Sequence, residues 1–157
     1  MARHCEGRDT FRGGGWHENA KLHVTDGGST IAIDNGDIVS VCKKPGDGIS
    51  GRGIIEYAVK NGGNKLDSYE GNHGFYTKCG FEPVSWCKWD DEYAGSAVEQ
   101  GWDPDRDRKE DIIFYRYVGA GNVKYDGGKG LEEFKKEVPA SLDYDSAYTE
   151  RDKKMGA

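Results

Sequence analysis

Apolar positions along this chain crowd between about residues 22 and 118, and their spacing changes period several times. Alternation comes first. KLHVT (21–25), STIAID (29–34) and DIVSVCK (37–43) each place apolar residues two apart, with Ile31 and Ile33 on one face and Val39 and Val41 on one face of the next strand. Asp26-Gly27-Gly28 and Asn35-Gly36 separate them, and these residues accept the positive φ that tight hairpins need. The three segments predict an antiparallel meander. In IIEYAVKN (54–61), Ile54, Ile55 and Ala58 then fall on one helical face, and Gly62-Gly63 supplies a stop. KLDSYE (65–70) reads as a strand, HGFYTKCG (73–80) as a two-turn helix ending at Gly80, and FEPVSWCKW (81–89) as a strand. A polar excursion, 90–109, precedes a last aromatic and β-branched strand, DIIFYRYV (111–118).

These elements predict an α/β (α+β) fold: a mixed, mostly antiparallel central sheet with short helices on its faces. Residues 1–20 read as an irregular N-terminal arm and 21–118 as the folded domain. Residues 119–157 form a charged C-terminal tail with one short helix at LEEFKKEV (131–138), stopped by Pro139, and a last stretch that is mobile or loosely docked.

Length and composition narrow the rest. A chain of 157 residues with 35% hydrophobic positions suits one domain with a modest core. No apolar run is long enough to span a bilayer, and the first residues lack the apolar stretch of a secretory signal, so the expectation is a cytoplasmic protein with no membrane partner. A net charge of -6 without a basic stripe argues against nucleic acid. Cys5, Cys42, Cys79 and Cys87 form no C-x-x-C pair and are far apart, so they are expected to be reduced and to hold no zinc.

Between the third strand and the first helix lies KKPGDGISGRG (43–53). A glycine-rich loop running into a helix offers an anion backbone N–H groups that have no intrahelical partner, and glycine lets a phosphate come close. The same composition also describes a plain surface loop. The stretch lacks the Gly-Lys-Ser/Thr of a P-loop, and a meander rather than a parallel β-α-β unit precedes it, which excludes a dinucleotide fingerprint.

The meander, the glycine turn into an amphipathic helix, NGGNKLDSY as the next strand and FYTKCGFEPV as helix plus strand resemble the GNAT superfamily of acyl-CoA-dependent N-acyltransferases over residues 29–118. Tyr76-Thr77-Lys78-Cys79-Gly80-Phe81 is similar to that family's Tyr-x-x-x-Gly-Phe corner, and Gly63 to Leu66 to its Gly-x-x-Leu. The resemblance implies an N-acetyltransferase that takes acetyl-CoA as acyl donor and a primary amine as acceptor; the alternative is a GNAT-like binding module without catalysis. It places the pyrophosphate on residues 48–53, with Gly48, Ser50, Gly51, Arg52 and Gly53 as cofactor-binding residues. The pantetheine arm falls along 38–42, with Val39 and Val41, and Tyr76 becomes the general acid for the departing thiolate. Gly48 stands where the family has Gln or Arg, and residues 1–28 hold no counterpart of the family's N-terminal strand and helices.

A tyrosine hydroxyl can donate to a thiolate while staying neutral; a packed helix aromatic is the competing reading of Tyr76. Asp67, Glu70 and His73 are candidates for the base, each also readable as a solvated or loop-stabilising residue. His73 with His17 or His23 shows no metal-ligand spacing, and no metal is expected. Trp86, Trp89 and Trp102 suit either a core or a cationic acceptor's floor. Asp103, Asp105 and Asp107 start like a calcium loop but lack its Gly and Glu in place.

Overall fold

The computed structural model describes residues 19–90 and 109–156. Most of the N-terminal arm, nearly all of the 90–109 excursion, Cys5, His17, Trp102 and the aspartates 103, 105 and 107 therefore lie outside the described residues. The architecture is α+β, with six strands, mostly antiparallel, and four short helices among the described residues. The chain divides into two compact units, Met1–Leu66 and Asp67–Ala157, a division that falls inside the segment expected to be one domain.

In the first unit, β1 (Lys21–Val24), β2 (Thr30–Asp34) and β3 (Asp37–Cys42) form the expected meander. Asn35 and Gly36 both take positive φ, 49° and 86°, the pair a two-residue hairpin requires, and Ile31 then faces Val41. The register shifts between Ala32 and Ile33, so Ile33 pairs with Ile38. Residues on both faces of β2 and β3 are buried, including Ala32 and Val39, so alternation understates this sheet's burial.

Helix α1 (Gly51–Lys60) begins three residues before its apolar face, because Ser50 caps it: the Ser50 hydroxyl accepts from the Gly53 N–H at 2.9 Å. Ile54, Ile55 and Ala58 are fully buried, and each isoleucine contributes about 1.5–3 kcal/mol by leaving water. Gly62, at φ 98°, ends the helix. Gly63 is required by space, since a Cβ there would lie 2.7 Å from Ile38 Cγ1. Strand β4 (Lys65–Tyr69) runs through the division between the units and opens parallel to β3 at the pair Asp37–Lys65.

In the second unit a one-turn 3-10 helix (Glu70–Asn72) leads into α2 (His73–Lys78), then β5 (Phe81–Cys87) and β6 (Ile112–Tyr117). Strand β6 lies between β4 and β5. The β5–β6 ladder slips between Pro83 and Ser85, where proline has no N–H to give, and the Val84 carbonyl accepts from Lys154 at 2.7 Å.

The C-terminal segment is not a loose tail, which corrects that expectation. Helix α3 (Gly127–Glu137) buries Phe134, and a second helix, α4 (Tyr144–Lys154), buries Ala147 and Arg151. Ala147 packs with Cys87, Ile112 and Phe114, and its carbonyl accepts from Ser85 Oγ at 2.6 Å. The Arg151 guanidinium lies 4.4 Å from the Tyr148 ring centroid and 5.5 Å from that of Phe114, so a charged residue serves as an apolar contact through its ring partners. Cys42 is disulfide-bonded, which corrects the expectation of reduced thiols: folding can bring sulfurs together that sequence spacing holds apart. Cys79 and Cys87 are free and buried. No helix among the described residues is long and apolar enough to cross a membrane.

Candidate functional site

The glycine loop is built by successive turns, each closed by a named bond. Lys44-Pro45-Gly46-Asp47 is a β-turn in which Asp47 N–H donates to the Lys44 carbonyl at 3.1 Å, with Gly46 at φ 87° where a type II turn requires it. Asp47 Oδ1 then accepts from the Ile49 N–H at 3.1 Å, and Ser50 caps α1. Ile54 N–H reaches the Ser50 carbonyl at 3.0 Å. With Gly53 taken by the cap, the N–H groups of Gly51 and Arg52 are those that helix geometry leaves without an intrahelical acceptor.

The other expected cofactor residues are placed as follows. Gly48 has open space where a Cβ would stand, so nothing in the fold forbids the longer side chain that the GNAT pattern carries there. Gly53 is tighter: a Cβ would lie 3.0 Å from Ile49 Cγ1. Arg52 pairs with Glu56 at 3.4 Å on the exposed side of α1, a contact of little energetic weight. Val39 and Val41 are buried in β3. Strand β3 pairs with β2 along its length and with β4 in parallel at Asp37–Lys65.

In the second unit, Tyr76 is sealed in the core. It is 0% exposed, its ring centroid is 5.1 Å from that of Phe75, 5.8 Å from Tyr115 and 6.3 Å from Phe81, and burial pushes its phenol well above the ordinary value. Its hydroxyl meets no hydrogen-bond partner at proper distance and angle, although Ser68 is close enough to favour ionisation slightly. This placement matches the packed-aromatic reading and gives the hydroxyl no route to a ligand.

The three candidate bases are engaged in structure. Asp67 is buried and accepts from Tyr144 Oη at 2.8 Å. Glu70 pairs with Lys135, which also donates to Asp111 at 2.8 Å. His73 is buried, with Nδ1 3.0 Å from Tyr115 Oη and Nε2 2.7 Å from the Tyr125 carbonyl; burial lowers its pKa. Trp86 donates from Nε1 to the Val138 carbonyl at 2.7 Å and lies under Lys135, and Trp89 stacks near Tyr69, so both hold their unit together.

The residue that sequence reasoning passed over is Asp47. Its Oδ2 accepts from Thr25 Oγ1 at 2.7 Å and from Ser29 N–H at 3.3 Å, tying the loop to the β1–β2 hairpin. The available signal was an aspartate two residues before Ile49 in a turn-rich stretch, where its side chain can close an Asx turn. No group of three His, Cys, Asp or Glu side chains among the described residues is arranged to hold a metal ion. Comparison with known proteins adds no relative: no family model, no curated protein and no solved structure matches this chain.

Proposed function

We propose that the chain binds acyl-CoA in the GNAT manner and transfers an acetyl group from acetyl-CoA to a primary amine. The observation that carries this reading is the turn-closed loop 44–53 running into α1, whose first N–H groups helix geometry leaves without an intrahelical acceptor. The Gly51 and Arg52 N–H groups at the start of α1 suit the pyrophosphate, since the helix dipole favours negative charge there. This loop and helix belong to the first unit.

In the reaction, the amine nitrogen attacks the thioester carbonyl, a C–N bond forms, the C–S bond breaks, and the proton lost by the amine is balanced by the one that coenzyme A takes up as thiol. Tyr76 is not assigned the acid's role, because its hydroxyl is buried among Phe75, Phe81 and Tyr115. That same burial favours a second reading, a GNAT-like module that binds acyl-CoA without turning it over.

Calorimetric titration with acetyl-CoA, followed by an assay for free thiol in the presence of primary amines, tests both. Saturable binding with amine-dependent thiol release is expected for the enzyme, and binding without release for the module. Neither binding heat nor a shift in melting temperature would remove both.

A further inference from the structure

We propose that Asn35 is a site of spontaneous main-chain modification, where the Gly36 nitrogen attacks the Asn35 side-chain amide and the hairpin turn passes through a succinimide to aspartate and isoaspartate. Asn-Gly occurs twice in the chain, at 35–36 and 61–62. Glycine favours this ring closure, because it has no side chain to crowd the attacking nitrogen. Both pairs lie in the first unit and share one dipeptide chemistry, so structure sets the difference between them.

At Asn61 both reacting groups are held. Its Nδ2 donates to the Tyr57 carbonyl at 2.8 Å, and the Gly62 N–H donates to the Val59 carbonyl at 3.1 Å, closing the end of α1. The turn at 35–36 is different. Its ladder bonds fall on Asp34 and Asp37, which leaves the Gly36 N–H outside the ladder. Asn35 is exposed, and its side chain enters no hydrogen bond among the described residues. It also holds the left-handed region at φ 49°, so the rotation that brings Cγ to the Gly36 nitrogen starts from a conformation that is unfavourable for an L residue.

The step is an intramolecular acyl transfer that needs water and no cofactor. A bond forms between the Gly36 nitrogen and Asn35 Cγ, the Cγ–Nδ2 bond breaks, and the proton from the Gly36 nitrogen leaves with Nδ2 as ammonia. Water then opens the ring. At Cγ it yields an ordinary aspartate; at the main-chain carbonyl it leaves the chain running through Cγ, one carbon longer, with the former main-chain carbonyl as a free carboxylate. The Gly36 carbonyl accepts from the Asn64 N–H at 2.8 Å and the Lys65 N–H at 3.2 Å, where β4 opens beside β3, and a Cβ on Gly36 would lie 2.4 Å from Asn64 Oδ1. A turn packed this closely has no room for an added carbon. The new carboxylate also joins those of Asp34 and Asp37 in the same turn, where like charges repel.

The test incubates native wild type in mildly alkaline buffer, which promotes loss of the Gly36 amide proton, beside the same chain in urea. Mass spectrometry and labelling by an isoaspartate-specific carboxyl methyltransferase follow the two Asn-Gly peptides. In urea they are expected to convert alike. In the native protein Asn35 is expected to convert at least about tenfold faster than Asn61, because the bonds that hold Asn61 must open first. A native ratio no higher than the urea ratio, or a native Asn35 that stays an amide while urea converts it, would overturn the proposal. Asn35→Gly keeps a residue that accepts positive φ and removes the reacting amide, so its 35–36 peptide is expected to take no label; label there would place the chemistry on another residue and overturn it too. Asn35→Asp supplies the charge without the added carbon. The isoaspartate fraction of aged wild type, separated by ion exchange, is expected to melt below Asn35→Asp, and equal melting would overturn the consequence assigned to the Gly36 carbonyl.

Discussion

His73 Nδ1 and the Tyr115 hydroxyl lie 3.0 Å apart in the core of the second unit, while the other ring nitrogen, Nε2, meets the Tyr125 carbonyl at 2.7 Å. A carbonyl can only accept, so Nε2 carries the proton and Nδ1 accepts from Tyr115. Protonation would turn Nδ1 into a second donor facing a donor. Burial already lowers this imidazole below its ordinary value of 6.5.

The sign of the resulting pH dependence follows. The unfolded chain holds the proton more tightly than the folded one, so stability is fully present above the ordinary histidine value and is lost as pH falls through it toward the lower folded value. Urea unfolding of wild type should therefore show a falling midpoint on mild acidification. In His73→Asn, itself less stable, that slope should flatten; an unchanged slope would place the titration elsewhere.

The Tyr125 carbonyl that His73 holds belongs to a residue at φ 67°, a conformation uncommon outside glycine. Gly130 makes room for it, since a Cβ there would lie 2.1 Å from the Tyr125 carbonyl carbon. Backbone cannot yield cheaply, so Gly130→Ala should cost about 2 kcal/mol or more. Gly128, in the same helix with open space around it, is the control: its alanine variant should be neutral or gain up to about 1 kcal/mol from helix propensity. Equal effects at the two positions would refute the packing argument.

The parts of this fold that could be read from sequence are those decided by near neighbours. Asn35-Gly36 announced its hairpin, Gly62-Gly63 its helix end, and Gly80 its corner, because each answers a local demand for positive φ. Partners far along the chain decided what could not be read. Whether Tyr76 faces out or in depends on Tyr115, on a strand nearly forty residues later, and the helix pattern is silent on it. Helix α4 offers little apolar periodicity to detect, since its fully buried residues are Ala147 and the arginine at 151. Asp47 looked like one more polar loop residue; its bonds to Thr25 and Ser29 cross 22 and 18 positions.

Tyr76→Phe separates packing from chemistry. Its hydroxyl is buried without a well-formed hydrogen bond, so removing it deletes a desolvated polar group and keeps the ring contacts. The expected result is unchanged stability or a gain of about 1 kcal/mol in urea unfolding. A loss of that size would show that the hydroxyl is bonded, with Ser68 the partner to examine. If amine-dependent thiol release collapsed in the variant while stability held, the phenol would be catalytic after all.

The anion site proposed at the start of α1 can be probed by deleting a single donor without breaking the helix. Gly51 is the first residue of α1, the position where proline is tolerated because its missing N–H has no intrahelical role. Ser50, at φ -74° and ψ 163°, already has the extended conformation that a following proline imposes. Gly51→Pro should thus leave the melting temperature unchanged or raise it, through a stiffer unfolded chain worth about 0.4–1 kcal/mol. In calorimetry it should bind CoA about tenfold more weakly, having lost one hydrogen bond to a phosphate oxygen. A stable variant with undiminished affinity would move the pyrophosphate away from the start of α1.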